Sequence, residues 1–229
     1  MDNNNQTAGI GKLPQDLKTL IMKNSVELSA IQGNMLSTAT DREIKTILIT
    51  SCSAFEGKTI TAISMAYELS TEANARVLLV DGNLRYPKIH ELFNVGSTPG
   101  LSDLVVSNAE YEEVIRKTED ENLIIIPHGT KISNPLDLFR SKMFKEKLDY
   151  LRQKFNYLIF DTCAALMSSH VSIIAKYFDG IILVIEAEKT RWEILQQAKE
   201  KINNVGGNIL GAVLNKRKYY IPKALYGKI

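Results

Sequence analysis

A chain of 229 residues is long enough to bury roughly 70% of its unfolded surface, and a composition 45% hydrophobic and 24% charged excludes the disordered, collagen-like and coiled-coil classes. The net charge of +2 is too small to argue for nucleic-acid binding, and it is uneven: Lys216, Arg217, Lys218, Lys223 and Lys228 crowd the end without an acid, leaving the rest net negative. Two cysteines, Cys52 and Cys163, in no CxxC or Cys/His cluster, exclude a disulfide framework and a structural zinc site, and no apolar run approaches the roughly 20 residues of a membrane span, so the chain reads as cytoplasmic, without a span of its own.

In chain order, residues 1–16 are polar and Asn-rich and read as a flexible end. A short apolar strand is expected at 46–50, then a helix over 59–70 with Ile60, Ile63, Ala66 and Tyr67 on one face. Further strands are expected at 77–80, 123–126, 157–160, 181–185 and 209–214, each nearly continuous in Ile, Leu and Val and so covered on both faces. The stretch from Asp81 to Leu123 has room for two short helices, near 87–93 and 100–106. A helix over 191–205 places Trp192, Leu195, Ala198, Ile202 and Val205 on its core face. Its bounds are a Thr190–Glu193 capping box and the Gly206-Gly207 stop. Strands alternating with helices predict an α/β fold with a mostly parallel sheet, one domain over 17–215 between the flexible end and a basic tail at 216–229.

The strongest local signal lies in residues 47–59, where a buried strand runs into a turn ending Gly57-Lys58-Thr59 and then a helix. Phosphate binding needs backbone N–H groups at a helix N-terminus, a Lys for the β and γ oxygens and a hydroxyl for Mg²⁺. Cys52 stands where the usual first Gly of the P-loop belongs, but strand and helix supply the context, and the expected fold becomes a three-layer P-loop NTPase. Asp81 and Asp161 each end a buried strand, where ligands of open α/β sheets bind and where a carboxylate holds Mg²⁺ directly or through water. An Asp there is equally often a helix cap. Two beside one P-loop favour the functional reading.

From Glu27 to Lys216 the sequence resembles the bacterial tyrosine kinases of capsule and exopolysaccharide biosynthesis, relatives of the MinD/ParA deviant P-loop ATPases. Besides the three motifs the likeness includes Pro87, His90, Pro99 to Asp103, Asn134-Pro135, Asp179-Gly180 and Gly211 to Lys216. The resemblance implies an ATP/ADP and Mg²⁺ site formed by Ser53, Ala54, Phe55, Glu56, Gly57, Lys58, Thr59 and Ile60, with Asn215 reading the adenine edge. Thr59, Asp81 and Asp161 would order the metal. Lys58, Asp81, Asn83 and Arg85 would serve phosphoryl transfer, and Tyr219, Tyr220 and Tyr226 on the tail would be phosphoacceptors, though a tail Tyr is as readily a plain surface residue. Implied partners are protein tyrosines, including the chain's own, and a membrane adaptor of the polysaccharide co-polymerase type that brings the chain to the inner face of the membrane.

The departures are specific. Ala54-Phe55 replaces the family's Pro-Gly, Asn83 replaces the second Asp of D-x-D-x-R, Cys163-Ala164 replaces Pro-Pro, and His170 replaces an Asp. The assembly motif E-x-x-R-x-x-R reads Glu27, Ala30, Gly33, which predicts a weak ring or none. Two alternatives stand beside the kinase: a weakened nucleotide-binding scaffold, and a MinD-like ATPase whose second signature lysine is missing. Cys52 and Cys163 read as small apolar filler rather than a redox pair, and His128 as a loop residue.

Overall fold

The computed structural model describes residues 9–24, 33, 43–71 and 73–217. The three tail tyrosines and the assembly-motif positions Glu27 and Ala30 lie outside the described residues. Seven strands form one sheet: β1 (Thr46–Ser51), β2 (Val77–Asp81), β3 (Arg116–Lys117), β4 (Leu123–Ile126), β5 (Tyr157–Asp161), β6 (Gly180–Glu186) and β7 (Ile209–Asn215), in the order β3-β4-β2-β5-β1-β6-β7. All neighbours are parallel except the short β3, which runs antiparallel to β4. The expected α/β fold with a mostly parallel sheet is what forms.

Alternate residues of the central strands feed two cores. Leu48, Leu78, Val80, Leu158, Phe160 and Leu183 point to one side. There they meet α4 (Leu101–Val106), α6 (Pro135–Arg140), α7 (Lys142–Lys154), α8 (His170–Ile174) and α9 (Trp192–Asn203). Ile47, Ile49, Val77, Leu79, Ile159 and Val184 point to the other side. That side is covered by α1 (Gln15–Lys23), α2 (Lys58–Thr71) and α3 (Ile89–Phe93). The remaining helix, α5 (Tyr111–Val114), precedes β3. Strands buried on both faces need continuous apolar runs, and this is why they stood out in the sequence.

Four expectations change. The edge strand β7 is not covered on both faces: Gly211, Ala212 and Leu214 are exposed, as an outermost strand with one neighbour allows. Trp192 is 64% exposed because it opens α9 at the helix tip, while Ala198 and Ile202 carry the buried face. The Thr190–Glu193 capping box does not form. Arg191 takes the cap position, and Thr190 turns its hydroxyl toward Glu56 instead. The expected boundary after residue 16 falls inside α1; ahead of that helix, Leu13 is buried and Gly11 bonds the carbonyl of Lys117.

Several family-string residues turn out to hold the frame. Asp179, at the N-terminal edge of the sheet, accepts from the Lys45 and Thr46 N–H groups and from Arg152. Asn134 caps α6, and Asp103 ties the start of α4 to the Thr130 N–H. The opposite, C-terminal edge gathers the ends of β1, β2, β5, β6 and β7. From β1 the chain crosses to β2 on one side, whereas β5 leads to β6 on the other, and the crevice at such a reversal is where ligands of open α/β sheets bind.

Candidate nucleotide and phosphoryl-transfer site

β1 delivers the loop Cys52–Gly57 straight into α2. The first helical bond, from Thr61 N–H to the Gly57 carbonyl, leaves the N–H groups of Lys58, Thr59 and Ile60 without partners inside the helix, a positive end suited to an anion. Gly57 sits at φ +96°, and a Cβ there would come within 1.9 Å of the Asn215 amide, so the position admits only glycine. Phe55 sits at φ +63° with its ring 85% exposed. Its backbone takes the left-handed form that a glycine adopts without a Cβ clash, and strain of this kind costs on the order of 1–2 kcal/mol.

Lys58, half-buried at the helix start, lies close enough to Asp161 for its charge to stabilise the carboxylate. Thr59 Oγ1 donates to Asp161 Oδ2 at 2.7 Å. Asp161 Oδ1 is buried and has no partner. Burial, then the neighbouring Asp81, pushes the Asp161 pKa up to about 8. Asp81 stands directly opposite Asp161 in the β2–β5 register and is raised by burial to about 7. Its oxygens are occupied differently: Oδ2 accepts from the Lys88 and Ile89 N–H groups at 3.1 and 3.0 Å, and Oδ1 from Asn83 N–H at 3.3 Å. Asp81 thus anchors the entry to α3 as well as facing the site.

The donor set fits Mg²⁺. A hydroxyl, a buried carboxylate oxygen lacking a partner and the unpartnered Asn83 Oδ1 are hard oxygen ligands. Among the described residues no group of three or more His, Cys, Asp or Glu could hold a metal. Mg²⁺ on one or two carboxylates plus phosphate oxygens needs no such cage.

Asn83 Nδ2 donates to the Tyr86 carbonyl, and Arg85, exposed, lies over the Tyr86 ring at 5.5 Å. Asn215 reaches the loop from the end of β7, its Nδ2 donating to the Glu56 carbonyl at 2.9 Å. Ser53, Ala54, Glu56 and Ile60 complete the loop and helix start. Every expected site residue among the described residues therefore lies on the strand-end edge or in the loop after β2.

Other groups that were not expected in the site also reach this region. Lys201 of α9 donates to the carbonyls of Ala165 and Ser168, holding the loop that follows Asp161. Lys216 Nζ donates to the Phe55 carbonyl. Cys163 and His170, two of the departures, pack together with Sγ 3.6 Å from Nδ1. Burial and Glu56 push the Cys52 thiol up to about 12, and burial also raises Cys163, so neither is an activated thiolate. His128 is half-buried in a T-shaped contact with His90 at 5.0 Å.

Comparison with known proteins agrees with this arrangement. A family model described as an AAA domain matches residues 44–212. The tyrosine-protein kinase YwqD of Bacillus subtilis is 31% identical over 195 residues, 85% of this chain and 82% of its own. The tyrosine-protein kinase CpsD of Streptococcus agalactiae serotype III is 31% identical over 76% of this chain and 75% of its own. Among solved structures, the chimerical protein CapA2B2 superposes with a TM-score of 0.82 at 28% identity, covering 93% of this chain and 96% of that one. MinD of Pyrococcus horikoshii, solved with Mg-ADP, shares the fold at a TM-score of 0.63 and 23% identity, over 79% of this chain and 75% of that one. At 31% identity over three quarters or more of both chains, this chain belongs to the bacterial tyrosine-protein kinases of the YwqD and CpsD type.

Proposed function

We propose that the chain is an ATP- and Mg²⁺-dependent protein-tyrosine kinase that phosphorylates its own tail and regulates capsule or exopolysaccharide biosynthesis. The observation that carries the reading is the buried, partnerless Asp161 Oδ1 beside Thr59 at the mouth of a P-loop helix. Thr59 and Asp161 would hold Mg²⁺, which when bound neutralises charge on the β and γ phosphates. The N–H groups opening α2 cradle the phosphates while Lys58 draws negative charge from the transferring phosphoryl group. The tyrosine oxygen forms the new P–O bond as the bond to ADP breaks. Asp81, with a pKa near neutrality, orients the hydroxyl and receives its proton. Asn215 faces the base, and Arg85 lies beside the path of the incoming tyrosine.

Tyr219, Tyr220 and Tyr226 are the proposed acceptors, reached in trans because a short tail leaving β7 has limited reach to its own pocket. A membrane adaptor would activate the kinase and hold it at the inner face of the membrane. Among the described residues no helix is long and apolar enough to cross a membrane.

The test is intact mass and phosphosite mapping after incubation with Mg-ATP. Phosphoryl groups on the tail tyrosines of the wild type, absent from Lys58→Met, are expected. A protein that binds ADP yet incorporates no phosphate, even with adaptor tail peptides, would instead support a nucleotide-binding scaffold. The Asn83 side chain favours attention to that second reading, since it offers an oxygen without a charge where the family has a carboxylate. If that loss limits the rate, Asn83→Asp should raise incorporation at least about tenfold.

A further inference from the structure

Behind the phosphate loop lies a set of contacts that the phosphoryl-transfer chemistry does not require. Glu56 is 3% exposed. Its Oε2 accepts from Ser53 N–H at 2.7 Å, and its Oε1 accepts from the Thr190 hydroxyl. Thr190 is itself fixed in the turn after β6, where its N–H donates to the Glu186 carbonyl at 3.1 Å and its Oγ1 accepts from Glu186 N–H at 3.3 Å. From the end of β7, Asn215 Nδ2 holds the Glu56 carbonyl. Lys216 Nζ holds the Phe55 carbonyl at 2.5 Å and bonds Glu186 Oε2 at 3.2 Å. The loop is thus tied to the ends of β6 and β7 at Phe55 and Glu56, with Ser53 held through Glu56, all on the side away from Asp161 and Asp81.

Electrostatics alone would disfavour this residue. A carboxylate buried inside a phosphate-binding loop repels the phosphates it should admit. Its reach explains its place, because a Glu side chain has two acceptor oxygens and enough length to span a loop amide and a hydroxyl on the next strand turn. The bonds also counter a local liability: Phe55 in the left-handed region would relax out of that conformation if its neighbours were untethered.

We propose that Glu56 is a positioning residue that, bonded to Thr190, holds the phosphate loop in its binding shape before nucleotide arrives, with Asn215 and Lys216 completing the clamp. The proposal rests on the reading that this loop binds nucleotide. It adds that the end of β7, where the tail begins, and the phosphate loop move as one piece.

The test measures Mg-ADP affinity by calorimetry and melting temperature without ligand for four proteins: wild type, Thr190→Val, Thr190→Ser and Glu56→Asp. Valine keeps the shape of threonine without the hydroxyl, serine restores the hydroxyl, and aspartate keeps the charge but is too short to span both partners. Expected is an affinity loss of about tenfold in Thr190→Val and Glu56→Asp, near wild-type affinity in Thr190→Ser, and ligand-free melting temperatures within a few degrees of one another. Unchanged ADP affinity in Thr190→Val and Glu56→Asp would overturn the proposal. So would a loss that tracks a fall in ligand-free melting temperature and is not rescued by serine, since that describes a merely structural contact. A wild type that does not bind Mg-ADP would remove the nucleotide reading itself, an outcome read from the wild type alone.

Discussion

Asp81 and Asp161 end adjacent strands, face each other in register and are both completely buried, yet their surroundings give them different work. Asp161 has one oxygen held by a hydroxyl and the other by nothing. Asp81 has both oxygens engaged by backbone N–H groups that fix the loop into α3. A motif treats the two as equal acidic positions. The hydrogen bonds separate them: Asp161 keeps one buried oxygen open, as the proposed cation site requires, whereas Asp81 is first a backbone anchor.

Substitutions can break this comparison, and the largest effect is expected at Asp161. Asp161→Asn should abolish the part of the ADP-dependent rise in melting temperature that requires Mg²⁺, while leaving the ligand-free protein about as stable as wild type at neutral pH, because the buried Asp161 is already largely uncharged there and an amide replaces it isosterically. A full Mg²⁺-dependent shift in Asp161→Asn would place the cation elsewhere. At Asp81 the order reverses. Asp81→Ala strands the buried Ile89 N–H and the Lys88 N–H, and should cost about 1–3 kcal/mol of ligand-free stability in urea titration. Asp81→Asn, which keeps an acceptor for those amides, should recover most of that loss. Equal stability in the two variants would show that the anchoring bonds contribute little.

Proton linkage sharpens the comparison further. The folded pKa values of Asp81 and Asp161, about 7 and about 8, lie above the ordinary unfolded value of about 3.9. The stability they contribute is fully present below the unfolded value and is lost as pH rises through 7 and 8. Ligand-free protein should therefore lose stability between pH 5 and about pH 9, and Asp161→Asn should flatten the upper part of that fall. Mg-ADP stabilisation should grow over the same window, since the cation takes the deprotonated form. A melting-temperature series in matched buffers checks both signs. The smallest effect is expected at Phe55: its ring is 85% exposed, so Phe55→Gly forfeits little packing and relieves the left-handed strain. A gain of up to about 1 kcal/mol is expected, the extra unfolded-chain entropy of glycine offsetting part of the relief. A loss of stability would mean that the ring makes contacts beyond those of an exposed side chain.

How much of this could be read from residues alone depended on whether the cause was local. Continuous Ile, Leu and Val runs announced the buried strands, and Gly57-Lys58-Thr59 between strand and helix announced the phosphate loop. The two-residue β3 has no such run and was not anticipated. Trp192 has helical spacing with Ala198 and Ile202, but periodicity cannot tell that the residue opening α9 stays exposed. Thr190 has the spacing of a capping box, and a partner 134 positions away in the sequence outcompetes the local one. The contacts of Asn215 and Lys216 with the loop arise because β7 lies two strands from β1, a relation no spacing encodes. Likewise, the difference between Asp81 and Asp161 is one of partners, while their sequence contexts are alike.

The most direct measurement is calorimetric titration of the purified chain with ADP, with and without Mg²⁺, in two buffers of different ionisation enthalpy at pH 7. Binding that is tightened by Mg²⁺ and accompanied by proton release is expected, because the cation must take an Asp161 carboxylate that burial and Asp81 keep largely protonated at that pH. Binding indifferent to Mg²⁺, or no binding at millimolar ADP, would contradict the assignment of Thr59 and Asp161 to a metal-assisted nucleotide site.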